Sequence, residues 1–338
     1  MDKRFLIFYG LTALTAALGS LLLVRLRERV RIWDVPNDRS SHEVPKPRSG
    51  GIALFAAVIA GWAWARWCSG GLLDGYERGL WVIGGAGIFF LLGLLEDVYK
   101  LSELVRFLVE VSVSFLIAWL GCRLRVLQLP GMDPWVMPFA VSVAVTTFWY
   151  TGFVNAFNFM DGMDGLAAGE AVMAGLALCA LSGDFWPLLA SAAALGFLLL
   201  NRYPARIFMG DSGSYLLGFL LAASVVNCTQ VPGTAARFVA CLLILGTFVA
   251  DTSTTLARRI ARREKWWKAH RSHYYQKLTH LGYSHAGIFW WNLALTAGLV
   301  LSAAVYLRSE PRVQFLLIGG WAAGFAAIIG AIHWLQNR

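Results

Sequence analysis

Long apolar segments, each close to the length that crosses a lipid bilayer, dominate this sequence. A helix crosses the hydrocarbon core with about 20 mostly apolar residues. Eleven segments meet this requirement, near residues 5–24, 50–66, 79–95, 104–122, 135–154, 165–182, 185–203, 212–230, 236–257, 286–307 and 313–334. Charged residues make up 14% of the chain, against roughly 25% in soluble proteins. The sequence predicts an all-α polytopic membrane protein with about 11 transmembrane helices.

Lys and Arg are unevenly distributed between the loops, and cytoplasmic loops normally carry the excess. With the N-terminus outside, the inner segments hold nineteen of these residues and the outer segments seven. We therefore predict an outside N-terminus, a cytoplasmic C-terminus and long cytoplasmic loops at 25–49 and 258–285. No internal repeat divides the chain, so residues 1–338 are predicted to form one integral membrane domain.

A polar stretch, Asn155-Ala-Phe-Asn158-Phe-Met-Asp161-Gly-Met-Asp164-Gly-Leu166, separates two of the apolar segments. Acids at membrane depth are costly and usually mark a functional site. Asn158, Asp161 and Asp164 are three residues apart and would share one face of a helix. Carboxylate and amide oxygens are the hard ligands that Mg²⁺ prefers. The alternative is a glycine-rich loop in which one Asp caps a helix.

Further acids lie beside the same predicted face. Glu96 and Asp97 end the third apolar segment, where carboxylates oppose the helix dipole. Asp211 lies in Gly-Asp-Ser-Gly-Ser before the eighth segment, where it or a neighbouring serine could equally cap the helix. Gly-Asp-Ser-Gly also surrounds the nucleophile of chymotrypsin-like proteases, but nothing here predicts their β-barrels. Clustering of these acids at the cytoplasmic face predicts an active site there.

Two basic segments fall on that face as well. Arg48 precedes the pair Gly50-Gly51, which allows close backbone approach to a ligand; the alternative is an ordinary basic loop. His270, Arg271 and His273 are close enough to converge on one anion, although most of their basic segment fits a helix lying among headgroups. A zinc site of His270, His273, His280 and His285 lacks Cys and has atypical spacing.

A transporter is the alternative from another class. It would place carboxylates near the bilayer midplane beside broken helices. Glu110, Glu170 and Asp251 are the acids within apolar segments that fit this alternative. The other acids cluster at one face, which favours an enzyme.

Taken together, the motifs resemble the polyprenyl-phosphate N-acetylhexosamine-1-phosphate transferase family. The matching landmarks are Pro-Arg-x-Gly-Gly, the paired acids, Asn-x-x-Asn-x-x-Asp-Gly-x-Asp-Gly-Leu, Phe-Met-Gly-Asp-x-Gly-Ser and His-x-x-His. The resemblance implies transfer of a sugar 1-phosphate from a UDP-N-acetylhexosamine to undecaprenyl phosphate, releasing UMP at the inner leaflet of a bacterial cytoplasmic membrane. It implies Mg²⁺, with Mn²⁺ as a substitute, no nucleic-acid partner, and leaves a homodimer open.

The resemblance also implies residue roles. Catalytic positions are Glu96, Asp97, Asp161 and Asp164, and the metal ligands are Asp211 and Asp97. Substrate-binding positions are Asn155, Asn158, Asn201, Phe208, Arg48, His270, Arg271 and His273. Asn201 and Phe208 would hold the uracil, and His270 and His273 the diphosphate. Glu96 departs from the usual Asp-Asp pair of the family, and its extra methylene group moves the carboxylate.

The separated histidines, His270 and His273, indicate an enzyme that initiates O-antigen or a related surface polysaccharide. Peptidoglycan-type members of the family carry three consecutive histidines there, and the peptidoglycan-precursor transferase is the alternative within the family. A phosphate monoester has its second pKa near 6, so the acceptor needs little general-base help. We therefore favour direct displacement over an aspartyl-phosphate intermediate.

Overall fold

Helices form almost all of the regular structure. The computed structural model describes residues 3–34, 45–68, 76–230, 236–265 and 270–337. Its first helices are α1 (Lys3–Arg25), α2 (Arg27–Val30), α3 (Gly50–Cys68), α4 (Tyr76–Tyr99), α5 (Glu103–Trp119), α6 (Phe139–Met160) and α7 (Leu166–Ser182). The remainder are α8 (Phe185–Asn201), α9 (Gly210–Cys228), α10 (Arg237–Ile244), α11 (Gly246–Ala261), α12 (Tyr274–His280), α13 (His285–Tyr306) and α14 (Pro311–Gln336).

Two short antiparallel pairings accompany the helices. Strand β1 (Trp33–Asp34) pairs with β2 (Lys46–Pro47), and β3 (Val126–Leu127) pairs with β4 (Trp135–Val136). The first pairing places Asp34 opposite Lys46 and brings the two ends of the predicted 25–49 loop together. The middle of that loop, 35–44, lies outside the described residues.

Each of the eleven predicted apolar segments coincides with helix, and one of them differs in shape. The segment predicted as one helix over 236–257 is two helices, α10 and α11, which meet at Leu245 with a bend of 79°. The α11 part carries Asp251, Thr252, Ser253 and Thr254, so its polarity departs from that of α10. Two short helices, α2 and α12, lie in segments for which no transmembrane helix was predicted.

Helix α9 forms the centre of the bundle. All but one of its residues are buried, and it packs against α3, α4, α6, α7, α8 and α10. Phe219 stacks on Phe89 of α4, with 4.9 Å between ring centroids. A helix buried on every side is apolar all round or has its polar groups paired. Here the polar groups concentrate at its first turn, which lies at the candidate site.

Six of the described helices are long and apolar enough to cross a membrane, and the bent α10–α11 pair makes a seventh if it counts as one span. Large apolar side chains lie exposed along them, among them Leu6, Ile88, Leu301 and Leu316. Such surfaces are covered by lipid in membrane proteins. The chain is therefore an all-α multi-pass membrane protein; eleven crossings and the orientation remain predictions.

Candidate active site

The predicted acids meet at one end of the bundle, around the first turn of α9. Asp97, at the end of α4, accepts hydrogen bonds from the backbone N–H groups of Asp211 (2.9 Å) and Ser212 (3.0 Å) and from the Ser212 hydroxyl (2.8 Å). The close approach of α4 to the start of α9 requires a glycine in each of the two helices. Gly210 has φ +70°, and a Cβ there would lie 2.5 Å from Asp97 Oδ2, while a Cβ on Gly93 would overlap the Asp211 carbonyl. Asp97 is therefore the N-terminal cap of α9.

Arg48 joins the two carboxylates of this cap. Its Nε lies 3.0 Å from Asp97 Oδ1, and its Nη2 donates to Asp211 Oδ1 at 2.5 Å. Burial alone would lower the pKa of Arg48, but Asp211 and Asp97 more than offset it and raise that pKa above its ordinary value. The segment after Arg48 is fixed by backbone pairing, since Gly50 donates its N–H to the Phe208 carbonyl at 2.9 Å. Arg48 is thus a rigidly held cation.

Asp211 collects further partners from α5 and α6. The Asn158 amide donates to Asp211 Oδ1 (3.1 Å) and to the Ser214 hydroxyl (2.8 Å). Arg106 Nη1 lies 3.6 Å from Asp211 Oδ2 and 3.5 Å from Glu96 Oε1. Arg106 is not among the residues predicted from the sequence. The signal for it was present, because an arginine among apolar residues marks a functional position when it is not at the membrane surface.

Asp161 lies beside this cluster with its carboxylate half-buried. Within the described residues it accepts no hydrogen bond, in contrast to Asp97 and Asp211. Burial raises its pKa well above the ordinary value, and repulsion from Asp211, Asp97 and Asp34 adds to the effect while Arg48 opposes it. This carboxylate requires a proton or a cation to balance its charge.

Asp164 faces a different group of residues. Its Oδ2 accepts the Ala205 backbone N–H at 2.8 Å and lies 3.6 Å from Lys46 Nζ. The same Lys46 ammonium lies 5.0 Å from the centre of the Phe208 ring. Residues 161–165 form a turn between α6 and α7, so Asp161 and Asp164 do not share a helical face. Asp161 belongs to the Arg48 cluster, and Asp164 to a wall formed with Lys46 and Phe208.

Two predicted binding amides hold protein groups. Asn201 accepts the Gly165 N–H (3.1 Å) and donates to the Ile207 carbonyl (2.9 Å), so it joins two loops of the site. Asn155 donates to Glu110, an acid of α5 that is only 1% exposed. Both amides therefore position the elements of the site.

The His270–His273 segment is fixed by an acid of α11. Asp251 accepts the backbone N–H groups of Tyr274 (2.9 Å) and Tyr275 (3.2 Å), capping α12, and contacts His273 Nδ1 at 3.0 Å. The His273 Nε2 atom is buried and has no hydrogen-bond partner among the described residues. The rings of His270 and His273 stack with 4.9 Å between centroids. The two histidines thus form one surface, positioned by Asp251.

This segment contacts the end of α6. The Tyr275 hydroxyl donates to the Phe159 carbonyl at 3.0 Å, and the Phe159 ring lies 5.8 Å from that of His273. Burial, together with His273 and Arg259, lowers the pKa of His270 to about 4. His270 is therefore neutral at neutral pH, and Arg271 lies half-buried beside it.

The acids that suggested a transporter have local polar partners. Glu110 accepts the Tyr215 hydroxyl at 2.7 Å and lies 3.8 Å from Arg106. Glu170 is fully buried and accepts hydrogen bonds from three side chains, those of Thr247, Asn292 and Thr296. These contacts join α5 to α9 and α7 to α11 and α13. They account for Glu110 and Glu170 as structural groups inside the bundle.

An apolar groove of about 1170 Å³ opens beside the site between α5, α6 and α11. Its walls are mainly aromatic and aliphatic, including Phe107, Phe115, Trp119, Phe139, Phe148 and Phe153. Arg106, Glu110 and Asn155 line it as well, and Arg106 also contacts Asp211. The groove therefore leads from an apolar wall to the charged cluster.

The donor set at the cluster fits a hard cation. Asp161 and Asp211 offer carboxylate oxygens, and the charge on Asp161 is not balanced by a hydrogen-bond donor among the described residues. Carboxylates next to phosphate sites are the usual Mg²⁺ ligands. Within the described ranges, no three His, Cys, Asp or Glu side chains lie at metal-binding distances of one another. Asp97 already accepts three hydrogen bonds, so its role as a ligand remains a prediction.

On this multi-pass helical bundle, an apolar groove therefore ends at a cluster of Arg and Asp side chains. Comparison with known proteins shows which class of protein this is. A family model described as glycosyl transferase family 4 matches residues 80–229. This match and the relatives described next show that the chain belongs to the family of the polyprenyl-phosphate N-acetylhexosamine-1-phosphate transferases, and it is a transferase.

Individual relatives resemble nearly the whole chain. The probable undecaprenyl-phosphate N-acetylglucosaminyl 1-phosphate transferase of Bacillus subtilis is 32% identical over 83% of this chain and 79% of its own length. The decaprenyl-phosphate N-acetylglucosaminephosphotransferase of Mycobacterium tuberculosis is 29% identical over 96% of this chain and 89% of its own length. The undecaprenyl-phosphate alpha-N-acetylglucosaminyl 1-phosphate transferase of Escherichia coli K12 is 25% identical over 85% of this chain and 78% of its own length.

Proposed function

We propose that this protein transfers N-acetylhexosamine 1-phosphate from a UDP-sugar to a polyisoprenyl phosphate, undecaprenyl phosphate in bacteria, and releases UMP. The observation that carries the proposal is the apolar groove, which has Arg106 in its wall and the Asp97–Arg48–Asp211 cluster next to Arg106. An isoprenoid chain requires a long apolar surface, and its phosphate requires a cation where that surface ends. The names of the relatives support the same acceptor class.

The donor is assigned to residues that do not line the groove. Phe208 offers a ring on which a base can stack, and Lys46 and Asp164 lie against it. His270 and His273 form a neighbouring surface with the unpartnered His273 Nε2. His270 is neutral, and a neutral imidazole can donate its one N–H to a phosphate oxygen without adding charge. These groups form the proposed uridine and diphosphate sites.

The chemistry is a displacement at the β-phosphorus of the donor. An oxygen of the acceptor phosphate forms the new P–O bond while the bond to the α-phosphate oxygen breaks, and UMP leaves with that electron pair. Arg48 and Arg106 neutralise charge on the phosphates, which is the main task in phosphoryl transfer. Asp97 is held by the α9 backbone and Arg48, so it is poorly placed to act as a nucleophile. This supports direct displacement.

Mg²⁺, with Mn²⁺ as a substitute, would be held by Asp211 and Asp161, and by Asp97 if its hydrogen bonds rearrange. When bound, the ion supplies positive charge that polarises the phosphoryl oxygens. Glu96 contacts Arg106 and acts through that arginine rather than on the substrate.

The site is proposed to face the cytoplasm of a bacterial inner membrane, where UDP-sugars are available. The separated histidines support initiation of O-antigen or a related surface polysaccharide. A homodimer stays open as the assembly, and one chain contains every residue of the site described above.

The experiment is a substrate screen with the purified protein. It would be incubated with Mg²⁺, undecaprenyl phosphate and a panel of UDP-N-acetylhexosamines, and UMP would be measured. We expect UMP with at least one sugar, dependent on the lipid and abolished by EDTA. Release of no UMP from any of them would contradict the proposal, and phosphorylated Asp97 or Asp161 trapped during turnover would contradict direct displacement.

A further inference from the structure

A second group of basic residues lies behind the histidine segment, where α11 and α12 meet the end of α14. We call Arg258, Lys277 and His333 the α14 basic cluster. Arg258 Nη1 lies 3.0 Å and Lys277 Nζ lies 2.8 Å from the same atom, His333 Nε2. Because a neutral imidazole nitrogen has one lone pair, it cannot satisfy two cationic donors. The cations of the cluster therefore have more hydrogen-bond donors than His333 can accept.

The cations of this cluster have no carboxylate paired with them in the part of the chain that the structure describes. Among the described residues, no carboxylate lies within ion-pair distance of Arg258 or Lys277. Both cations instead lie against the Tyr274 ring, at 5.3 Å and 4.7 Å from its centre. Lys277 is only 8% exposed. Its burial, together with Arg258 and Arg262, lowers the pKa of Lys277 to about 8, so an anion placed there would be stabilised.

The surroundings of the cluster are those of a membrane surface. Helix α14 packs on the outside of the bundle, and Ile332 is its one buried residue. Trp334, next to His333, is 54% exposed, and Ile260 on α11 is 56% exposed. Trp residues concentrate at the headgroup level of membranes. A ligand here would have its charged group in the cluster and apolar tails along α14.

We propose that the α14 basic cluster binds the phosphate of an anionic membrane phospholipid, at a site separate from the apolar groove between α5, α6 and α11. A phosphate has enough oxygens to accept from the guanidinium and the ammonium together. Basic pockets at helix ends bind anionic headgroups in other membrane proteins. This site is additional to the two substrate sites proposed above.

Occupancy of the cluster has a structural consequence for the histidine segment. Arg258 Nη2 also donates to the Ser272 carbonyl at 2.7 Å, and the Ser272 hydroxyl lies 2.9 Å from His270 Nδ1. A lipid phosphate that fixes Arg258 would therefore stabilise this segment. Bound lipid is expected to raise the thermal stability of the protein.

The test is lipid binding by the purified full chain after delipidation, measured by native mass spectrometry and thermal unfolding. Dioleoyl phosphatidylglycerol is compared with dioleoyl phosphatidylcholine, for the wild type and for Arg258→Gln/Lys277→Gln. We expect a preference for phosphatidylglycerol, weakened about 25-fold in the double variant, taking about fivefold for each basic residue. Arg312→Gln, at the opposite end of α14, is the matched control and should keep the preference.

Further measurements distinguish between a phospholipid and other phosphates as the ligand. Lys277→Arg keeps a cation and should retain binding, which distinguishes lost charge from misfolding. Stabilisation by inorganic phosphate equal to that by phosphatidylglycerol would assign a soluble phosphate and contradict the lipid. Undecaprenyl phosphate is also added as a competitor, to the wild type and to the groove variant Ala144→Trp. If it displaces phosphatidylglycerol equally from both proteins, the acceptor occupies the cluster, and a separate site is contradicted. Equal binding of both phospholipids by the wild type would also overturn the proposal.

Discussion

Asp97 caps α9 by accepting the backbone N–H of Asp211, which lies 114 residues later in the chain. The two acids are also joined by Arg48, so one arrangement supports both the fold and the charge of the site. Asp211 itself does not cap α9, although its position in the sequence allowed that interpretation.

Replacing Asp97 should therefore affect stability and turnover together. Asp97→Asn has a single acceptor oxygen for the α9 N–H groups and leaves Arg48 with one carboxylate. Loss of a cap costs roughly 1 kcal/mol of folding free energy, and loss of charge positioning costs roughly a hundredfold in turnover. The measurements are thermal unfolding and UMP release. Ser102→Ala, which removes the cap of α5 at Val105, is the control and should lower stability alone. Unchanged turnover in Asp97→Asn would contradict the role of this residue.

Arg106 should determine how well the lipid acceptor binds. It lines the groove and contacts Asp211, so Arg106→Gln removes the cation closest to the proposed acceptor phosphate. We expect its KM for undecaprenyl phosphate to rise about tenfold or more, since a hydrogen bond to a charged group contributes roughly 1.5–3 kcal/mol. The KM for the UDP-sugar should change little. Steady-state kinetics with each substrate varied in turn measures this, and an equal rise in both values would refute the assignment.

Gly162 should tolerate no side chain, because Tyr275 occupies the space where its Cβ would lie. Gly162→Ala is expected to displace Tyr275 from the Phe159 carbonyl and move the histidine segment, lowering turnover about tenfold or more by misplacing reacting groups. Gly84→Ala, in an open position on α4 and away from the groove, is the control. Adding Tyr275→Phe to Gly162→Ala should restore part of the activity. Full activity in Gly162→Ala alone would disprove the contact.

His270 should make the protein less stable in acid. Its pKa is about 4 in the folded protein and 6.5 ordinarily. As the pH falls below about 6.5, the unfolded chain takes up a proton that the folded protein refuses until about 4, so stability decreases across that window and is unaffected above it. Thermal unfolding of His270→Gln should depend less on pH than that of the wild type. The exposed His280→Gln should behave as the wild type, and identical pH profiles for all three proteins would contradict the assignment.

The sequence predicted helices better than it predicted their bends or partners. Apolar length is a direct requirement of the bilayer, so all eleven segments coincide with helix. The bend at Leu245 was missed because α10 and the start of α11 are equally apolar. The structure brings the site acids to one end of the bundle. Asp161 and Asp164 nevertheless face different groups of residues, because residues 161–165 form a turn. Arg106 was missed because an arginine at a helix end is also typical of the membrane surface.

The central claim is transfer of a sugar phosphate, and the position of the donor's β-phosphorus after reaction tests it most directly. The purified protein would be given undecaprenyl phosphate and a UDP-N-acetylhexosamine, such as UDP-N-acetylglucosamine, radiolabelled in its β-phosphate. The account predicts that the label moves into the organic-extractable lipid and that the nucleotide released is unlabelled UMP. Label recovered as UDP, with the sugar alone on the lipid, would contradict it.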